Sequence, residues 1–381
     1  MKKIKAGKDT ILCIFFILFC IVLVMLPTGF EDKMAQNAVR CKGKIISVDN
    51  SEIQTIGIIQ TGDQNVTLKL MDGPFKGKVL SAGNPLLGQM DKDKIYKAGD
   101  TALVVLTLNE QGEIIFVNPQ DHYRLGLEIY LLGLFAVLLI AYGGFTGLKA
   151  LLSFLLTALV LWKILVPLLL KGWDPILISL VIMASLSAGI IFLVAGINRK
   201  GFTAFLGAFL GVLTSCAMAI YFTKVFHVHG AVMPFAETLL YSGFGHLDLT
   251  KIYIAAVFIA CAGAVMDLAM DVAASMHEVV CTDSSITRWQ AVKSGINVGR
   301  AVVGTMTTTL LLAYSGGFIT LMMAFMAQGV PWVNTSNFIY VSAEILKTLI
   351  GSFGLVTVAP FTALVGGFVL VKSPETALQR V

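Results

Sequence analysis

The sequence predicts an α-helical polytopic membrane protein of about eight transmembrane helices, with a small external all-β domain inserted between helices 1 and 2. Three observations carry this. Of 381 residues 56% are hydrophobic and only 13% charged, whereas soluble domains carry roughly 25% charged residues. The charges are also unevenly spread: residues 28–121 hold 10 Lys/Arg and 12 Asp/Glu of the chain's 28 and 23. Outside that stretch, apolar runs of about 20 residues recur, the length needed to cross a bilayer.

The net charge of +5 does not imply nucleic acid. The polar insert is net negative, so the positive excess belongs to the membrane part, where it sets orientation. No basic patch is interleaved with aromatic residues. Of the six cysteines, only Cys41 lies in the insert, and no CxxC pair occurs. No internal disulfide, cofactor or redox centre is therefore expected.

Taken in order, residues 1–27 read as a signal anchor. "MKKIKAGK" supplies four lysines and "TILCIFFILFCIVLVMLP" the span, with no small-residue cleavage site following. Residues 28–122 read as β structure. "NVTLKLM" alternates, and "TALVVLTLNEQGEIIFVN" is two strands around a Gly-containing turn. "KGKIISVD" and "FKGKVLS" add two more. Five or six short strands in such a length suggest an OB-like barrel, a fold that by itself implies no ligand.

Residues 123–381 supply seven further apolar segments, near 125–142, 149–170, 174–197, 202–223, 252–272, 301–326 and 337–371. Eight spans place both termini in the cytoplasm and residues 28–122 outside. Lys/Arg counts agree: twelve fall on cytoplasmic segments, including Lys372 and Arg380, against Arg124, Lys171, Lys224 and Lys251 on short external connections. The last segment is too long for one crossing, and a break is expected near 349–360, at "GSFG" and Pro360. Residues 337–348 then form either an interfacial amphipathic helix or a re-entrant half-helix. "GFTGLKALLSFLLTALVL" from Gly144 weakly echoes "GFTAFLGAFLGVLTSCAM" from Gly201, as a parallel repeat would.

The segment "GAVMDLAMDVAASMHEVV" (263–280) carries the chemistry. On a helix, Asp271 lies about 40°, Glu278 about 20° and Ser275 about 80° from Asp267, so they form one stripe. A helix entering from outside at Ile252 puts Asp267 about 22 Å down a ~30 Å core, Asp271 at the boundary and Glu278 beyond it. Intramembrane carboxylates bind cations, carry protons or pair with cationic substrates, which makes Asp267 the leading residue. In the next span, Arg300 marks the cytoplasmic end near the depth of Asp271. Thr305, Thr308, Thr309 and Gly316 share one face, either for helix packing or to line a path. Glu344 and Lys347, three apart, read either as a local pair or as a gate element. His227, His229, His246 and Asp248 in the loop 224–250 are a weak metal-site reading without a zinc signature.

The paired segments "GAVMDLAMDVAASMHEV" and "VGRAVVGTMTTTLLLAYSGG" resemble the YibE/F family of bacterial multi-pass membrane proteins, of the type with an external insert. The resemblance runs from about Gly143 onward. It implies Asp267, Glu278, Gly299, Arg300, Thr305 and Tyr314 as recurring polar positions. Family members usually carry Asp where this chain has Ala301 and Asn where it has Thr308. The resemblance also implies partners beyond the lipid bilayer: a homo-oligomer, or a hetero-complex with a paralogous YibF-like subunit.

The expected function is a plasma-membrane transporter or exporter subunit with a polar site around Asp267. No phosphate-binding loop of the G-x-x-x-x-G-K form occurs, so transport would be ion-coupled or partner-driven. The alternative is a non-transporting scaffold or assembly factor that contacts partners through its β domain. No enzymatic activity is expected, since Asp267 and Asp271 sit at different depths and do not converge on one bond.

Overall fold

The computed structural model describes residues 2–33, 37–283 and 285–371; Lys372 and Arg380 lie outside the described residues. The chain divides into two compact units. One is Gly29–Ala141, and the other joins the N-terminal helix to the chain from Tyr142 onward.

After α1 (Lys2–Met25), the described residues of the first unit form five strands: β1 (Ala38–Ile56), β2 (Ile59–Leu70), β3 (Val79–Leu87), β4 (Thr101–Leu108) and β5 (Ile114–His122). All pairings are antiparallel, in the order β3-β2-β1-β4-β5. The outer strands β3 and β5 approach each other, so the sheet is a nearly closed barrel. Alternation sets its interior: Val66, Leu68 and Leu70 of β2 face Ala102, Val104 and Leu106 of β4. Gln64 is the polar hub. Its amide accepts from Tyr96 N (2.9 Å) and donates to Tyr96 O (2.9 Å) and Asn50 Oδ1 (2.8 Å). The Tyr96 hydroxyl donates to Pro119 O of β5 at 2.9 Å, so the segment between β3 and β4 straps the barrel end.

Among the described residues, six helical segments are long and apolar enough to cross a membrane, and Thr10–Met25 of α1 is a shorter apolar one. The first, Leu125–Leu170, is α2 (Leu125–Val160) followed by a π-turn (Leu161–Leu165) and α3 (Val166–Leu170). Its 46 residues exceed one crossing. It breaks at Gly144, with φ 54° and ψ −128°, a conformation costly for any side chain. Within the π-turn, Lys163 Nζ donates to Leu26 O at 2.9 Å, placing a cation at the C-terminal end of α1.

The bundle continues with α4 (Pro175–Ala195), α5 (Arg199–Val225), α6 (Ala236–Tyr241), α7 (Leu249–Thr282), α8 (Arg288–Ser315), α9 (Ile319–Ala327), α10 (Trp332–Asn337) and α11 (Ile339–Val369). The two echoing segments each begin a helical stretch, after the break at Gly144 and at the first turn of α5. Helix α7 is central and packs against α4, α5, α8 and α11. Small residues permit the close approaches. Gly207 of α5 abuts Thr362 of α11, Gly211 abuts Val265 and Val358, and Gly354 abuts Ser215.

The expected break at 349–360 is absent: α11 is one helix from Ile339 to Val369, with Pro360 inside it. Residues 339–348 are thus its first turns rather than a separate interfacial or re-entrant helix. Proline costs an exposed helix about 3 kcal/mol. Here Val358, Ala359, Thr362 and Ala363 are buried against neighbouring helices, and that packing holds the helix through it.

Candidate functional site

On α7, Asp267, Asp271 and Glu278 lie on one exposed stripe with Ala256, Ala260 and Gly263, and Ser275 is half-buried at its edge. The stripe expected from the sequence therefore exists, but in the single chain it faces outward. Among the described residues no side-chain hydrogen bond or ion pair engages Asp267, Asp271 or Arg300. A Cβ on Gly299 would lie 3.8 Å from Val272 Cγ2 and also meet Ala359, so Arg300 and Asp271 stand at the same level without pairing.

The threonines of α8 are satisfied by their own helix. Thr305 donates to Val302 O (2.9 Å), Thr308 to Gly304 O (3.1 Å) and Thr309 to Thr305 O (3.0 Å). All three are exposed, so their shared face is not packed within this chain.

A second group closes inside the bundle. Lys347 Nζ lies 2.8 Å from Glu344 Oε1, with side chains 24% and 22% exposed. The same ammonium sits 4.9 Å from the ring centroid of Tyr314, on α8. Glu344 Oε2 and the Tyr314 hydroxyl are buried without a hydrogen-bond partner. Beside them, the Tyr253 hydroxyl of α7 donates to Ala343 O at 2.7 Å. One turn along α11, Gly351 admits the ring of Tyr314 and the Cβ of Cys261. Cys261 Sγ lies 3.5 Å from Ser215 Oγ. The structure thus joins Tyr314 to the Glu344–Lys347 pair and leaves Asp267 on a different face. Tyr253, Ser215 and Cys261 carried no signal in the sequence beyond being polar or small groups within apolar runs.

Chemically, this cluster is a carboxylate neutralised on one oxygen, with a second oxygen and a phenol still able to bond. Such a group takes one more donor, a cation or a proton.

The weak metal reading is corrected. Among the described residues no group of three or more His, Cys, Asp or Glu could hold a metal ion. His246 Nε2 lies 3.3 Å from Leu170 O. Asp248 caps α7 by accepting from Lys251 N at 3.0 Å, and His227 follows the end of α5 with φ 52°. The first turn of α7, just after the loop, forms an ionic clamp: Lys251 Nζ lies 2.7 Å from Asp174 Oδ2. Asp174 also caps α4 by accepting from Ile176 N and Leu177 N, both at 3.1 Å. The Lys251 hydrogen bond holds the Asp174 carboxyl below the usual carboxylate range.

Apolar helices that meet through small residues around a partly buried ion pair, joined to a small β unit, define a multi-pass helical membrane protein. A family model described as YibE/F-like protein matches residues 131–372, and the chain belongs to that family. The match leaves the barrel outside it. No curated protein and no solved structure matches the chain.

Proposed function

We propose that this chain is a transporter or exporter subunit of the plasma membrane, and not an enzyme, whose polar centre is Glu344, Lys347 and Tyr314. The observation that carries the reading is the pair of buried, unpartnered polar atoms, Glu344 Oε2 and the Tyr314 hydroxyl, beside Lys347. Unsatisfied buried polar groups cost stability, and ionisable groups among membrane helices mark ion or substrate paths. In this reading α1, the two halves of Leu125–Leu170 and the five later long helices give eight crossings. Both termini are cytoplasmic, and the barrel, OB-like in strand order, is external.

Transport or growth assays of Glu344→Gln, Tyr314→Phe and Asp267→Asn, each with an expression control, test this. Loss of activity in the first two at normal expression supports the reading; wild-type activity in both rejects it.

The second reading is a scaffold that binds partners through the barrel. It is favoured by the apolar β1–β2 turn, where Ile56 and Ile58 are 70% and 81% exposed. Deletion of residues 30–120 should then abolish activity while the three point variants remain mild.

A further inference from the structure

The Arg288–Ala327 span, α8 with its continuation into α9, is the least buried of the six candidate crossings: 6% of its apolar window is buried, against 33% to 61% in the other five. Its outer face carries Gly304, Thr308 and Ser315, all exposed. They lie on one side by helical spacing, and a Cβ on Gly304 would meet nothing within 4 Å. This small-x-x-x-small face is of the kind that lets two membrane helices approach closely.

Charge on either side of this face indicates the occupant. The α7 stripe is acidic, with Asp267 and Asp271 exposed and unpaired, and Arg300 of α8 is exposed and unpaired at the level of Asp271. On the helical wheel Arg300 lies about 100° from Gly299, in the same rotational sense as Tyr314 at about 60°. Tyr314 is the residue that meets Lys347 of α11. Arg300 thus projects from the α11 side of α8, away from the acidic stripe of its own α7.

A two-fold axis along the membrane normal, running beside α8, reverses sides and keeps depth. It brings a second Arg300 to the α7 side of the first copy, at the level of Asp271. Such a contact is self-complementary, as closed dimers require.

We propose that a second copy of this chain docks on the α7–α8 face, with Arg300 of each copy paired to Asp271 and Asp267 of the other. The contact gives the exposed Asp267–Asp271 stripe a cationic partner, offsetting one of its two charges, and covers the exposed α8 face. It goes beyond the transport reading and stands or falls separately from it.

Thiol cross-linking of the full chain in native membranes tests this. Thr308→Cys should give a disulfide-linked species whose mass spectrum contains only this chain. Val181→Cys, exposed on α4, should not. Added to Thr308→Cys, either Arg300→Asp or Asp271→Arg should lower the linked fraction by about five-fold or more, and the two together should restore it. Thr308→Cys that stays monomeric, or links to a different protein, overturns the proposal. So does a yield that Arg300→Asp leaves unchanged.

Discussion

Lys347 Nζ lies 4.9 Å from the ring centroid of Tyr314, bringing α11 and α8 together around a cation. The ammonium also pairs with Glu344 at 2.8 Å, so three side chains from two helices act as a unit. Removing one charge should therefore cost more than removing both. Lys347→Met leaves a half-buried carboxylate and should destabilise by about 1–3 kcal/mol, discounted from the fully buried case for partial exposure. The double variant Lys347→Met/Glu344→Gln should recover most of that loss. Thermal unfolding of purified protein reads both.

Tyr314→Phe separates function from folding. The hydroxyl is buried without a partner, so its loss should leave stability unchanged or raise it by up to about 1–3 kcal/mol. Under the proposed function it should nonetheless reduce transport. A variant that is as inactive as it is unfolded would indicate a structural role alone.

Close packing of α5 on α11 gives a third expectation. The Gly207 backbone abuts Thr362, and any Cβ there collides with it. Gly207→Val should cost about 1–3 kcal/mol through overpacking. Gly263→Ala, open to the outside, should be tolerated. Expression level and unfolding temperature compare the two.

Much of this architecture was legible because bilayer thickness and strand alternation act on local sequence. The barrel segment, the break near Gly144 and the order of the apolar helices follow from run length and turn residues. The continuity of α11 was not legible. "GSFG" and Pro360 are local breaking signals, but the glycines instead serve contacts with Cys261 and Ser215, far away in sequence. The same holds for the site. The stripe of Asp267, Asp271 and Glu278 came from periodicity on one helix. The meeting of Tyr314 with Lys347 depends on how α8 and α11 cross, and no local spacing encodes that.

The clamp between Asp174 and Lys251 predicts acid sensitivity. The folded Asp174 carboxyl is held below its unfolded value, chiefly by the Lys251 hydrogen bond. Its stabilising contribution is therefore full above the unfolded pKa near 4 and lost as pH falls through the lower folded value. Asp174→Asn should remove that acid-range loss of stability. Asn also caps helices well, so the cap is kept and the cost near neutral pH is that of the partly exposed ion pair alone, about 1 kcal/mol or less. Unfolding temperature measured against pH for both proteins tests the sign.

Under the proposed function, solute reaches the Glu344–Lys347–Tyr314 cluster inside the bundle. Reaction of Tyr314→Cys with a charged, membrane-impermeant thiol reagent tests it most directly. Leu312→Cys serves as the control, because that side chain is 67% exposed on the outer face of α8 and would face lipid or a neighbouring helix. Tyr314→Cys should be modified and Leu312→Cys should not. An unreactive Tyr314→Cys in folded protein would contradict it.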